Sequence, residues 1–226
     1  MRPELRKRFV DSIEYLRKME FFQDYSYLSS EEILDRIFSG KINYVHCWWW
    51  EWKKKQVSLW GQILKESIER NEDLWMKSSD AEIDHWIIPF DTKRTVEEKL
   101  ETIPDKEMGI VILNRLAKIS RNVFQPMNIS SEWLTPLGSK WSVQEVSFEF
   151  KGKRYSIEIV LRYDYIVDMG LRELNELIGD TGYKYYQIED EDITVVVLTE
   201  EKLRSLERRE DGASSTYFKL IYWRSS

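Results

Sequence analysis

Between residues 146 and 161 the chain alternates apolar and polar side chains with a period of two. Val146, Phe148 and Phe150 are separated by Ser147 and Glu149; after Lys151-Gly152-Lys153, Tyr155, Ile157, Ile159 and Leu161 are separated by Ser156, Glu158 and Val160. Alternation of this kind around a Gly-containing turn predicts a β-hairpin with one buried face. Glu149 and Glu158 then lie on the opposite face. Downstream, Asp168 can cap a helix that carries Leu171, Leu174, Leu177 and Ile178 inward, with Gly179 at the left-handed position that ends it. The chain returns as a strand over 183–188, turns through Glu189-Asp190-Glu191-Asp192, and runs out over 193–198. Val195, Val196 and Val197 are consecutive, so this last strand is expected to be central and covered on both faces.

The N-terminal half reads differently. Residues 3–19 place Leu5, Phe9, Ile13 and Leu16 on one helical stripe, with Arg6, Lys7, Arg17 and Lys18 off it. Ser29-Ser30-Glu31-Glu32 is a capping box, and the helix it opens stops at Gly40. Tyr44 to Lys55 holds His46, Cys47 and four Trp in five positions, followed by three Lys. A helix from there to about residue 76 keeps Trp60, Ile63, Leu64 and Ile68 in phase, with Gly61 as its weak point. Residues 86–90 suggest a short edge strand, since Pro89 has no donor. Thr95-Val96-Glu97-Glu98 resembles a second capping box, opening a helix through Leu100. Pro104 starts another, with Met108, Val111, Ile112, Leu116 and Ile119 inward. Thr199 opens a charged helix with Leu203 and Leu206 inward, and 217–223 form a last strand.

These elements predict an α+β protein. A helical N-terminal half (1–124) precedes a linker (125–140), which contains two Pro and a Gly. A C-terminal region (141–226) follows, with a mainly antiparallel or mixed sheet of about five strands and two helices. The 226 residues suffice for a sizeable core, and 10 Trp, 12 Tyr and 9 Phe make it aromatic. One Cys excludes an internal disulfide framework. The longest apolar runs fall far below the ~18 residues of a membrane span, and the N-terminus has no apolar signal region, so the expected location is cytoplasmic. The net charge of −6 weighs against binding nucleic acid through the overall field.

Several constellations could carry chemistry. Trp50 and its neighbours beside Lys53-Lys54-Lys55 could stack bases, cage a cation or anchor a protein partner; packing into a core is the commoner use of such a run. Asp80, Glu82 and Asp84 alternate, and in an extended segment would present three carboxylates to a hard cation. Asp91-Thr92-Lys93 after an apolar strand resembles the second half of the metal-dependent PD-(D/E)xK nuclease pattern, in which the acid holds the metal and Lys stabilises charge. The upstream Pro-Asp is missing. Cys47 with His85 as base would need a thiol that is not buried among the Trp. The Gly-rich phosphate loops, GxSxG and paired Cys or His metal spacings are absent from the sequence.

The expectation is therefore a protein-binding protein without a cofactor. An acidic, Trp-bearing surface of Trp50, Glu149, Glu158, Glu189, Asp190, Glu191 and Asp192 would capture a basic partner, in an immunity-like, antitoxin-like or scaffolding role. The alternative is a metal-dependent nuclease or phosphodiesterase using Asp91 and Lys93, with Asp80, Glu82 or Asp84 as metal ligands.

Overall fold

A computed structural model describes residues 1–42, 60–99, 105–136, 138–163, 165–189, 192–210 and 219–220, with the backbone alone at 97–99, 188–189, 192, 210 and 219–220. The fold is α+β, with helices first and antiparallel strands later. The chain divides into two compact units, residues 1–95 with 201–218 and residues 96–200 with 219–226.

The first unit is built on α1 (Pro3–Lys18), whose stripe Leu5, Phe9, Ile13 and Leu16 is wholly buried. It packs against α2 (Ser30–Phe38), α4 (Glu72–Lys77) and α5 (Asp80–Ile87). The capping box at Ser29 forms as expected, with Ser29 Oγ accepting from the Glu32 N–H and the Glu32 carboxylate accepting from the Ser29 N–H. The helix ends in paired bonds from the Gly40 N–H to the Ile37 carbonyl and from the Lys41 N–H to the Arg36 carbonyl. Residues 44–59 of the long helix expected over 44–76 lie outside the described residues. The remainder breaks at Asn71 into α3 (Trp60–Arg70) and α4. Gly61 is no weak point: a Cβ there would stand 1.8 Å from the Ile37 carbonyl oxygen, so its lack of a side chain lets α3 lie against α2. The last helix, α8 (Glu200–Glu210), buries Leu203 and Leu206, and the Tyr15 hydroxyl donates to the Ser205 carbonyl at 2.6 Å.

The strand expected over 86–90 is instead the end of α5 followed by a 3-10 turn, Ile88–Phe90. The cause is a capping box that the apolar run obscured. Ser79 Oγ accepts from the Glu82 N–H, and the Glu82 carboxylate accepts from the Ser79 N–H. Pro89 falls in the first turn, where a missing donor costs nothing.

The second unit holds two four-stranded sheets, where the alternation suggested one of about five strands. One has the order β1 (Thr95–Lys99), β7 (Asp192–Thr199), β6 (Tyr183–Glu189), β8 (Lys219–Leu220). The other is β2 (Met127–Trp133), β3 (Trp141–Phe150), β4 (Lys153–Arg162), β5 (Tyr165–Asp168), antiparallel throughout. The β3–β4 hairpin closes on Lys151 and Gly152 with φ of 50° and 74°, the left-handed pair of a two-residue turn. Ile193 to Leu198 are all buried, as a central strand requires.

Four expectations fail here. Residues 95–99 are a strand, not a capped helix, because the Thr95 hydroxyl donates backwards to the Asp91 carbonyl at 3.0 Å and two β-branched residues lead the segment. The expected linker 125–140 contains β2, paired with β3 from Met127 to Trp133; its Pro and Gly only flank that strand. Asp168 does not cap α7 (Leu171–Leu177): it accepts from the Gly170 N–H, and Gly170 holds the cap position. Gly179 opens a 3-10 turn, and the left-handed residue is Gly182.

Helix α6 (Met108–Ile119) packs against β2 and β3 of one sheet and β7 of the other. Met108, Ile112, Leu116 and Ile119 are buried, while Val111 is partly exposed. Its N-terminus has no cap of its own. Gln144, fully buried on β3, supplies one: Oε1 accepts from the Gly109 N–H at 2.8 Å, and Nε2 donates to the Lys106 carbonyl at 2.9 Å. A Cβ at Gly109 would lie 2.4 Å from Val146 Cγ2. Gly109→Ala is therefore expected to lower stability by about 1–3 kcal/mol although Ala is the better helix former. A urea midpoint equal to or above that of the native chain would contradict this.

Candidate partner-binding surface

The sheet β2–β3–β4–β5 turns one face inward and leaves the other open. On β3, Ser142, Gln144, Val146, Phe148 and Phe150 are buried; on β4, Ile157, Ile159 and Leu161 are. The opposite parity forms the outer face, and register orders it into rows that run across the strands. The first row is Trp141–Arg162–Tyr165, with the Arg162 guanidinium 5.8 Å from the centre of the Trp141 ring. The second pairs Val143 with Val160, and Leu134 joins it through a bond from its N–H to the Val143 carbonyl. The third is Glu132–Glu145–Glu158, three carboxylates directly opposite one another on adjacent strands. The fourth is Ser130–Ser147–Ser156. In the fifth, Glu149 stands opposite Arg154 and accepts from Asn128 Nδ2 at 2.9 Å.

One end of this face is exposed and apolar. Trp141 is 48% exposed, Tyr165 47% and Leu134 51%, and Val167 on β5 is also open. The two glutamates that the alternation sent outward are there: Glu158 is exposed and Glu149 half-buried. Glu132, Glu145, Trp141 and Tyr165 were missed. Extending the alternation back from Val146 would have reached Glu145 and Trp141. Glu132 was hidden in the presumed linker. Among the described residues, no hydrogen bond or ion pair reaches the carboxylates of Glu132, Glu145 or Glu158.

The other residues singled out from sequence do not gather here. Trp50 and Cys47 lie outside the described residues, as do Asp190 and Glu191. Glu189 and Asp192 end β6 and β7, strands of the other sheet, and only their backbone is described. Asp80, Glu82 and Asp84 are helical, so they do not line one edge. Asp80 pairs with Arg8 at 2.8 Å, Glu82 is consumed by its capping box, and Asp84 is buried between Ser12 and Arg209. Asp91 and Lys93 diverge. The Asp91 carboxylate is buried and accepts from the Phe22 N–H at 2.5 Å, while Lys93 pairs with Asp24 at 3.2 Å. Among the described residues no three His, Cys, Asp or Glu stand close enough to hold a metal ion, and no helix is long and apolar enough to cross a membrane.

A cavity of about 460 Å³ lies in the second unit against α7 and β6, lined among others by Asp168, Arg172, Asn175, Glu176 and Lys184. Asn175 closes part of it by bonding both the N–H and the carbonyl of Tyr185, as a neighbouring strand would. Its charges are mixed and favour no one ligand class. No family model, curated protein or solved structure matches the chain.

The buried carboxylates make a testable contribution to stability. Burial pushes Asp84 up to about 7 against the opposing pull of Ser12 and Arg209, and pushes Asp91 up to about 6. An unfolded Asp ionises near 4, whereas folded Asp84 holds its proton to about pH 7. The folded state thus binds more protons across that window, and stability falls as pH rises through it. Relative to Asp84→Asn, which does not titrate, the native chain should lose on the order of 3 kcal/mol between pH 4 and 7. Urea denaturation of both across that range checks it; a constant difference would refute it.

Proposed function

We propose that this chain is a binding protein that captures a basic protein partner on the outer face of β2–β3–β4–β5. The observation that carries the reading is the row Glu132–Glu145–Glu158. Like charges directly opposite on neighbouring strands each cost roughly 0.2–1 kcal/mol, and a partner's cations would relieve that repulsion on binding. The same charges would steer a basic partner in at high rate. The exposed Trp141 and Tyr165, two rows along the same face, are the residue types that most often dominate binding energy once desolvated. Fast capture with slow release suits a protein that neutralises or scaffolds its partner, as an immunity protein or antitoxin does.

Exposed aromatics on an antiparallel sheet also serve to stack single-stranded RNA bases. Here the phosphates of such a strand would meet three carboxylates, and the chain carries a net charge of −6. Electrostatics favours the protein partner.

The test is affinity capture from the native lysate with native bait, Glu145→Lys and Trp141→Ala. Glu145→Lys places a cation between Glu132 and Glu158, so it should leave the urea midpoint unchanged or raise it. The expected result is a basic protein held by the native bait and lost from both variants, whose purified form associates more slowly as salt increases. Retention of the same proteins by both variants, or an acidic partner, would overturn the reading.

A further inference from the structure

The rows on the outer face are stripes, and their order specifies more than charge. An aromatic row, an apolar row and an acidic row follow one another along β3 at Trp141, Val143 and Glu145. Each row runs perpendicular to the strands. Rows two residues apart along a strand are separated by ~6.8 Å, and carboxylates within the acidic row by the ~4.8 Å strand spacing. Resting on the proposal of a basic partner, we infer that the occupant of this face is an amphipathic basic α-helix lying across the strands, its apolar stripe on Leu134, Val143 and Val160 and its basic stripe on Glu132, Glu145 and Glu158.

Spacing decides between a helix and an extended segment. Basic residues at i, i+4 and i+7 of a helix project at ~5.4 Å per turn and span ~10.5 Å, against ~9.6 Å from Glu132 to Glu158 across two strand spacings. Alternate residues of an extended segment laid along the same row would be ~6.8 Å apart and fall out of step by the third. An extended segment laid along β3 instead would meet the acidic row once and leave two carboxylates facing each other. Width agrees as well. A helix is ~10 Å across, enough to cover the apolar and acidic rows together and to bring its edge to the Trp141 ring. A second copy of this chain fits poorly, since a two-fold pairing that apposes the acidic rows sets six carboxylates together. The recognition is then the helix-in-groove mode transferred to a striped sheet.

The experiment titrates the full chain with two peptides of about 18 residues and identical composition in an Ala-rich host. One carries Lys at i, i+4 and i+7 with Leu on the adjoining stripe. The other alternates Lys and Leu. Binding is read by calorimetry for the native chain, for the triple variant Glu132→Gln/Glu145→Gln/Glu158→Gln and for Val143→Ser. The helix-patterned peptide is expected to bind about tenfold or more tightly than the alternating one, to lose about tenfold with the triple variant, and to weaken with Val143→Ser. The Gln variant relieves repulsion and so keeps the fold, which its urea midpoint verifies. Equal binding of both peptides, each lost with the triple variant, would overturn the helix and leave the basic-partner reading intact. Binding indifferent to the triple variant would overturn both. Failure of the helix-patterned peptide to bind, while a captured basic partner remains sensitive to Glu145→Lys, would overturn the helix alone. Stoichiometric self-association of the chain through this face would overturn it in favour of a second copy.

Discussion

Helix α6 must be apolar on more than one side because it lies against β2 and β3 of one sheet and β7 of the other, and most of the second unit follows from that demand. Its N-cap residue, Glu107, makes no side-chain cap to the helix's first donors. The need is met from outside by Gln144, a buried amide whose two ends satisfy the Gly109 N–H and the Lys106 carbonyl. The arrangement works only if β3 approaches closely, and Gly109 permits it. At the other end, the Tyr185 hydroxyl reaches the Leu116 carbonyl from β6; burial raises that hydroxyl's pKa well above the ordinary tyrosine value and keeps it a donor. Once the inner face of β3 is committed to α6, its alternate residues have no cover in the described chain. The open face is a consequence of how the helix is held.

The parts of this fold that could be read from sequence are those where one periodicity acts alone. The 146–161 alternation fixed a hairpin, its buried residues and the outward course of Glu149 and Glu158. The Leu5–Phe9–Ile13–Leu16 stripe fixed α1. Failures came where two signals overlapped. At 79–90 a capping box and an apolar run competed, and the box won because Ser79 and Glu82 satisfy two donors at once. At 95–99 the Ser/Thr-x-x-Glu spacing was present but the Thr95 hydroxyl was already donating to Asp91. At 125–140 Pro and Gly drew attention from the alternating residues between them, and with β2 went Glu132. Cross-strand register is not written in any one segment, so the acidic row could not be seen until three strands were aligned.

Both charged ends of the Asp91-Thr92-Lys93 triplet are engaged in the described structure, Asp91 with the Phe22 N–H and Lys93 with Asp24. A metal-binding carboxylate needs free lone pairs aimed into a cleft. Asp91 spends its lone pairs on the backbone, accepting from Phe22 and, at 3.4 Å, from Lys93, while its carbonyl accepts from Arg94 and Thr95. It fastens the segment after α1 to the turn after Phe90. Asp84 does comparable work between Ser12 and the Arg209 guanidinium, which also sits 4.0 Å from the centre of the Tyr15 ring and so holds α8 to α1 and α5. In both cases the raised pKa reports desolvation of a carboxylate that is already bonded into the surrounding helices and turns.

The outer sheet face contains its own control for the meaning of the acidic row. Were the glutamates there only to keep the face wet, the arrangement of Glu149 would serve: one acid opposite Arg154, bonded by Asn128, with charge balanced. Four residues along β3 the same sheet does the reverse. Glu145 has an acid on each side, and the nearest outward cation on β4 in the other direction, Arg162, is directed over Trp141. A substitution of any one of the three by Gln or Lys would remove repulsion at no cost to the core, because all three lie on the face opposite the buried residues of β3 and β4. Retaining the row is therefore a stability loss that the fold itself does not require. What it supplies is a line of negative charge in step with helical spacing, beside an apolar row and two exposed aromatic rings. Each of these features is a liability on a free surface, through repulsion or through exposed apolar area, and the proposed basic amphipathic partner would relieve all of them in one event.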